Sequence, residues 1–513
     1  LAAAHLAAVV AAAVVAVAVA AAAVSDQHDN HTKVGAFHAG IQELTMTFKK
    51  LNQHPAADHG AAIRAAAIAI ALGAIASPAA AQQRLPQRPP QRPLGQAVST
   101  SAPIGSIAAI RALSNGDVLV NDPVNFQVLL LDSTMKVIRV VADTTEATQK
   151  AYGTVDGGLV PYRGDSTLFV DPASYSMLVI DPAGNINRVI AAPRPAEVSA
   201  LLGGTRGGDA GFDANGLLVY RNTFNFNFRS QRSGTTLEPP QQPDTSPIVR
   251  FNLATRKEDT AAFTHVATTK LVWTQTEAGR RITPVINPIQ VVDDWSLLPD
   301  GTIAIVRRNY HVDYIASDGT KTSGPSIPFD WQRLTDSMKV AIIDSVKQAR
   351  VAVRARTGQA TVAGTDSSRP QVQFGGGRGF GGGFAGGFRA GAAARGGRAP
   401  GDATPGGAPG GAARITAQSL LQYVEPKELP DYKPAFASGA VHSDAEGKLW
   451  VRIITDDTTA AGPAYDVIDR SGKLIDCVVT PKGTTIAGFG PGGTVYLGVR
   501  DKAGVHLVRA REK

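Results

Sequence analysis

One cysteine, Cys477, in 513 residues closes two architectures at once. A disulfide scaffold needs pairs and a thiolate zinc cage needs several, so neither is open to this chain. Cys477 sits in the apolar run "LIDCVVTP" and reads as a small buried hydrophobe. Also absent are H-E-x-x-H, G-x-S-x-G and C-x-x-C, the signatures of common metalloproteases, hydrolase elbows and dithiol redox sites. "GFGPGG", 488–493, carries phosphate-loop glycines but leads into a strand-like run, so a hairpin turn explains it better. Charged residues make up only 18% and aromatics 6% of the chain, while Gly (53) and Pro (32) are plentiful, a balance suited to many short strands and turns.

The net charge of +8 does not make a basic binding face. Residues 350–414 hold nine Arg against Asp366 and Asp402, a net of +7, and residues 1–81 balance four basic against four acidic groups. What remains is close to neutral, which argues against a nucleic-acid partner.

What the sequence has instead is an address, a spacer and a repeat. Lys49, Lys50 and Arg64 precede a 12-residue apolar run, Ala65 to Ala76, and small residues end in an A-x-A site at 79–81. Residues 46–81 therefore read as a secretory signal peptide cleaved before Gln82, which implies a periplasmic or extracellular protein. Residues 1–45 open with an Ala/Val run over 1–24 that is long enough to span a membrane. They read as an over-extended reading frame, with a real membrane anchor as the alternative. Residues 82–93, containing "RLPQRPPQRP", read as an extended Pro-rich spacer.

From 94 onward one pattern recurs. "LSNGDVLVNDPVNFQVLLLDSTMKVIRVV" is followed by "YRGDSTLFVDPASYSMLVIDPAGNINRVI" and by four further units, each with a Gly turn (Gly116, Gly164, Gly216, Gly301, Gly447, Gly493), a strand, a polar loop and a strand. The turn spacings of 48, 52, 85, 146 and 46 residues fit a period near 50 once two insertions are removed. A four-stranded unit at that period is a propeller blade, whose two faces are buried only by its neighbours. The sixth unit ends after about three strands, so "LGQAVSTSAP", 94–103, is expected to supply its outer strand.

"ALSNGDVLVNDPVNFQVLLLDSTMKVIR" resembles an NHL-type repeat, and residues 94–513 resemble the six-bladed β-propellers of uncharacterised exported bacterial proteins, whose C-terminal part reads like "LPDYKPAF…GKLWVR…YDVIDRSGKL…GFGPGGTVYL". The expected fold is thus all-β: a six-bladed β-propeller closed by an N-terminal strand, with a helical and Gly/Arg-rich insertion between blades four and five.

In a propeller the B–C and D–A connections share one face. Residues 222–246, 265–292 and 329–437 all fall in such connections, so one face is crowded with long loops, where function concentrates. Within the insertion 329–437, residues 335–356 predict a helix with Thr335 as N-cap and Met338, Ile342, Val346, Ala349 and Val353 on its apolar face. Residues 358–414 predict a disordered Gly/Arg-rich linker, with contact to acidic surface polymers as a lesser reading.

The polar residues expected on the crowded face are Asp122, Asp171, Arg221, Arg307, Arg308, Asp456 and Asp457, taken as ligand-binding candidates. Asp156, Asp209, Asp293 and Asp294 are expected where inner strands meet that face, and several carboxylates around a channel could hold Ca²⁺. Turn-capping by Asp is the structural counter-reading. Two functions follow. The first is an exported binding scaffold for a small molecule, polysaccharide or protein. The second, implied by resemblance to six-bladed lactonase-like hydrolases, is a calcium-dependent hydrolase acting at the channel mouth.

Overall fold

The repeat unit is a four-strand antiparallel meander, and several of the hairpins inside it are set by a recurrent Asp. Asp444 Oδ1 accepts the amides of Glu446 and Lys448, while Gly447 N–H closes the turn on Asp444 O. Asp213 and Asp469 do the same two and four residues ahead. The fourth turn position is left-handed, which suits Gly447 (φ 82°) and Gly216 (φ 73°). In the first unit Met135 holds that conformation at φ 69°, fully buried.

The computed structural model describes residues 88–203, 208–222, 242–276, 279–360, 422–455 and 462–512. The Ala-rich segment, the expected signal peptide, nearly all of the Gly/Arg-rich linker, Asp456 and Asp457 lie outside them. The strands run β1 (Gln91–Pro93), β2 (Ala97–Thr100), then β3 (Ala109–Ala112), β4 (Val118–Asp122), β5 (Gln127–Leu131) and β6 (Val137–Ala142) in the first sheet. The second sheet holds β7 (Gly158–Pro161), β8 (Thr167–Asp171), β9 (Ser176–Ile180) and β10 (Ile186–Ala191). The third holds β11 (Gly211–Phe212), β12 (Leu218–Arg221), β13 (Thr245–Phe251) and β14 (Glu258–His265). β15 (Lys270–Thr276) and β16 (Gly279–Ile286) come next, outside the repeat. The fourth sheet is β17 (Asp294–Leu297), β18 (Ile303–Val306), β19 (Val312–Ile315) and β20 (Lys321–Ser323). It is followed by helix α1 (Asp336–Ala360) and β21 (Gln422–Tyr423). The fifth contains β22 (Phe436–Ser443), β23 (Leu449–Ile453), β24 (Ala464–Ile468) and β25 (Leu474–Val479), and the last β26 (Thr484–Gly490), β27 (Thr494–Arg500) and β28 (Val505–Arg511).

Alternation along each strand explains the packing. In β4, Val118 and Val120 face Tyr496 and Leu507 of the last sheet, while Leu119 faces Phe169 and Ile180 of the second. Both faces are buried, so the strand reads as a continuous apolar run. Further apolar clusters join the second sheet to the third, the third to the fourth, the fourth to the fifth and the fifth to the last. First strands of neighbouring sheets touch, as β26 with β3, β3 with β7, β7 with β11 and β17 with β22. Sheets packed face to face around their first strands make a β-propeller.

The expected closing strand is in place: β2 pairs antiparallel with β28, Ala97 opposite Ala510 and Thr100 opposite Val508. The Pro-rich segment ends not as a free spacer but as β1, a parallel fifth strand on β25.

Two long connections meet each other. β15 and β16 form a hairpin and β16 pairs parallel with β21, so residues from 265–292 and 329–437 build one three-stranded sheet. Helix α1 joins it through Ile342 and Ile343, in a cluster with Val285, Leu334, Val424 and Leu429. Thr335 caps the helix, its Oγ1 accepting the Met338 amide. The buried face differs from the expected one: Met338 and Ala349 are exposed, and Lys339 (4% exposed) and Ile343 are buried instead. Lys339 lays its aliphatic stem inward while Nζ reaches Asp431 at 2.8 Å, a burial that a hydrophobic tally does not register. The helix also runs on to Ala360, taking in residues 358–360 of the expected linker. No helix among the described residues is long and apolar enough to cross a membrane.

Candidate functional site

The expected face residues separate into two groups. Asp122, at the end of β4, is fully buried and saturated: it accepts the amides of Gly105 and Ser106, and Nδ2 of Asn125 and Nε2 of Gln127 at 2.7 and 3.0 Å. Asp171, at the matching end of β8, accepts the Ala173 amide and the Ser174 hydroxyl. These two carboxylates cap turns. Asp156, before β7, is exposed.

Asp293 and Asp294 do not share a site, because consecutive extended residues point to opposite sides. Asp293 accepts the amides of His265 and Arg308 and Nη1 of Arg307, at 3.0, 2.9 and 2.9 Å. Arg307 also reaches Asp313 through Nε at 2.6 Å. Burial would lower the Arg307 pKa, and these two carboxylates more than reverse it. Arg307, Asp293 and the Arg308 backbone therefore clamp the third sheet to the fourth, while Arg308 itself is exposed.

Asp294 belongs elsewhere. In β22 the pairing with β23 shifts register between Phe436 and Val441, with Gly439 at φ 77°, and the bulge turns the amides of Ala440 and Val441 toward the fourth sheet. Asp294 Oδ2 accepts both, at 2.8 and 3.1 Å. Among the described residues, no hydrogen-bond partner reaches its buried Oδ1. Burial pushes the Asp294 carboxyl up to about 6, against the pull of Arg221 and of the amides.

Around Asp294 stand three further ionisable groups. Arg221, at the end of β12, is 8% exposed, and burial lowers its pKa against the fields of Asp294 and Asp293. His442, near the end of β22, turns Nδ1 toward Asp209 Oδ2 at 3.3 Å. Burial would lower the imidazole pKa, but Asp209, with Asp294 behind it, raises it. The His442 side chain is 28% exposed and that of Asp209 50%, so this pair is the open edge of the cluster and Asp294 its buried floor. Three sheets contribute: the third gives Asp209 and Arg221, the fourth Asp294, the fifth His442.

The chemistry available is proton exchange and polar recognition. Burial brings the Asp294 carboxyl up to about 6, and Asp209 raises the His442 imidazole. Nδ1 faces Asp209, which leaves Nε2 as the ring atom for a ligand. Asp156, Asp209, Asp293 and Asp294, the candidate metal carboxylates, are not gathered at one point among the described residues. Asp156 is exposed on the second sheet, Asp293 is committed to Arg307, and among the described residues no three His, Cys, Asp or Glu stand where they could hold a metal ion.

Sequence reading placed Asp209, Asp294 and Arg221 near this face but missed His442. A signal was available. Five residues before the turn glycines stand Arg111, Leu159, Gly211, Ser296, His442 and Gly488, and aligning that slot singles out two ionisable side chains. Arg111 is paired with Asp165, which leaves His442.

No family model matches the chain, and no curated protein matches it. Among solved structures it is similar to a gluconolactonase from Xanthomonas campestris, at 10% identity over 82% of this chain and 99% of that one, TM-score 0.32. It is also similar to catalytically inactive virginiamycin B lyase from Staphylococcus aureus with quinupristin, at 10% identity over 81% and 98%, TM-score 0.34. A protein of Bacteroides fragilis titled as exported matches at 9% identity over 82% and 94%, TM-score 0.35. Likenesses at this level bring neither substrate nor residue roles to this chain.

Proposed function

We propose that the chain is an exported six-bladed β-propeller of NHL-like repeats that binds a small polar ligand where its third, fourth and fifth blades meet. His442 and Asp209 are the accessible contacts, and Arg221 and Asp294 the buried charges beneath them. The observation that carries this reading is the cluster itself. Four ionisable groups from three blades converge, and one carboxylate oxygen among them is buried without a partner among the described residues. Buried polar atoms are nearly always paired in native proteins, so such an atom in a cluster with an open His–Asp edge is what a donor-bearing ligand would complete. The insertions 265–292 and 329–437 supply the added layer of this molecule. Export rests on the signal-like residues 46–81.

The test is a thermal-shift panel of polyols, hydroxy acids and their lactones on residues 82–513, repeated on His442→Gln. A compound present at about 100 times its Kd adds roughly 2.7 kcal/mol and raises the midpoint visibly. The reading expects at least one compound whose shift is lost in the variant. Compounds that stabilise both proteins equally, or a panel with no shift at all, would contradict it. A Ca²⁺ arm after chelator treatment tests the hydrolase alternative, which the scattered carboxylates do not favour.

A further inference from the structure

A second buried charge cluster lies away from that site. Asp466, in the middle of β24, is fully buried. Its cation comes from the far end of the described chain: Arg88 Nη2 bonds Asp466 Oδ1, and Arg88 Nη1 donates to Pro328 O at 2.9 Å. Tyr310 O–H donates to Asp466 Oδ2, and burial with the Asp466 charge holds that phenol well above its ordinary pKa. The guanidinium lies over the Phe329 ring at 5.5 Å, and Phe329 meets Tyr310 and Trp331 edge-on. Four residues on, Arg92 binds Asp476 and Glu512.

The backbone contributes less than these side chains. β1 is three residues long, and Pro89, Pro90 and Pro93 have no N–H to give a ladder. Arg88 and Arg92 add side-chain anchors to this short pairing, on Asp466, Asp476 and Glu512. The residues that Arg88 grips, Pro328 and Phe329, are the root of the 329–437 insertion.

We propose that Asp466, Tyr310, Pro328 and Phe329 form an arginine-reading socket, and that Arg88 in this socket latches the root of the insertion to the fifth sheet. The partner such a socket fits is an extended segment with an arginine at its anchor position. A planar guanidinium can bond the carboxylate and the Pro328 carbonyl together while stacking on Phe329, which an ammonium cannot. Emptying the socket leaves a fully buried carboxylate without its cation, so the groups around it must rearrange.

Amide hydrogen exchange on residues 82–513 tests this, with Arg88→Ala and Arg88→Lys beside the parent. The reporters are the amides of Leu94 (to Val479 O) and Ile327 (to Tyr310 O); the controls are Leu113 (to Asp117 O) and Tyr152 (to Asp143 O) in the first two sheets. The expected result is about tenfold faster exchange at both reporters in Arg88→Ala, unchanged controls, and an intermediate effect in Arg88→Lys. Millimolar methylguanidinium should slow Ile327 again in Arg88→Ala by refilling the socket. Unchanged reporters would overturn the proposal. So would controls that accelerate with them, or an Ile327 that methylguanidinium does not slow.

Discussion

Asp122 and Asp294 occupy comparable positions where strands reach the same face, one in the first sheet and one in the fourth, yet they are built for opposite ends. Asp122 spends both oxygens on amides just before β3 and on side-chain nitrogens of its own loop. Asp294 spends one oxygen on a bulge in the neighbouring sheet and keeps the other buried, with no partner among the described residues, in the cluster with Arg221 and His442. The first arrangement stabilises a loop, whereas the second stores an unmet electrostatic demand. Burial alone therefore does not mark a functional carboxylate; the number of donors left unsupplied does.

Breaking the saturated side should give the largest stability loss. Asp122→Ala strands several buried donors and is expected to cost about 3–4 kcal/mol by denaturant titration, with ligand binding unaffected. A loss under about 1 kcal/mol would erase the contrast.

On the unsaturated side the signature is pH dependence. Asp294 is an acid whose folded pKa is raised from 3.8 to about 6, so the native state holds its proton more tightly than the unfolded chain does. Stability from this group is full below about pH 4 and falls as pH rises through 6, an amplitude of about 3 kcal/mol at most. Asp294→Asn keeps an oxygen for the Ala440 and Val441 amides and should lose this slope. Parallel pH profiles for the two proteins would contradict the assignment.

Asp171→Ala, which removes two turn contacts, should cost about 1–2 kcal/mol in the same denaturant assay. The smallest effect belongs to His442→Gln, because its partner Asp209 is half exposed and such pairs contribute under about 1 kcal/mol. Its raised pKa means that this contribution is present below 6.5 and disappears as pH rises through the folded value. The same substitution should nevertheless remove ligand binding.

The meander was legible because its hairpins are local: at Asp132, Asp213, Asp444 and Asp469 the carboxylate caps its own turn two and four residues ahead, and alternation within five residues assigns each side chain to a face. The closing role of 97–100 was legible from a missing strand. Nothing local could show that Arg88 crosses 378 residues to Asp466, or that Asp209 meets His442 across 233. Those contacts depend on which sheets become neighbours. The carboxylate count suggested a metal site because it could not see that Asp293 is taken by Arg307. The helix face was misjudged by one position because Lys339 buries its stem, and hydrophobic periodicity treats lysine as polar.

Carbon-13 NMR titration of the Asp294 carboxyl and the His442 ring in residues 82–513, with His442→Gln and Asp294→Asn beside the parent, tests whether the two groups form one electrostatic unit. The account predicts that Asp294 titrates near 6 and His442 above 6.5, each shifting when the other is replaced. An Asp294 that titrates as an ordinary carboxylate near 4, with a His442 indifferent to its replacement, would contradict it.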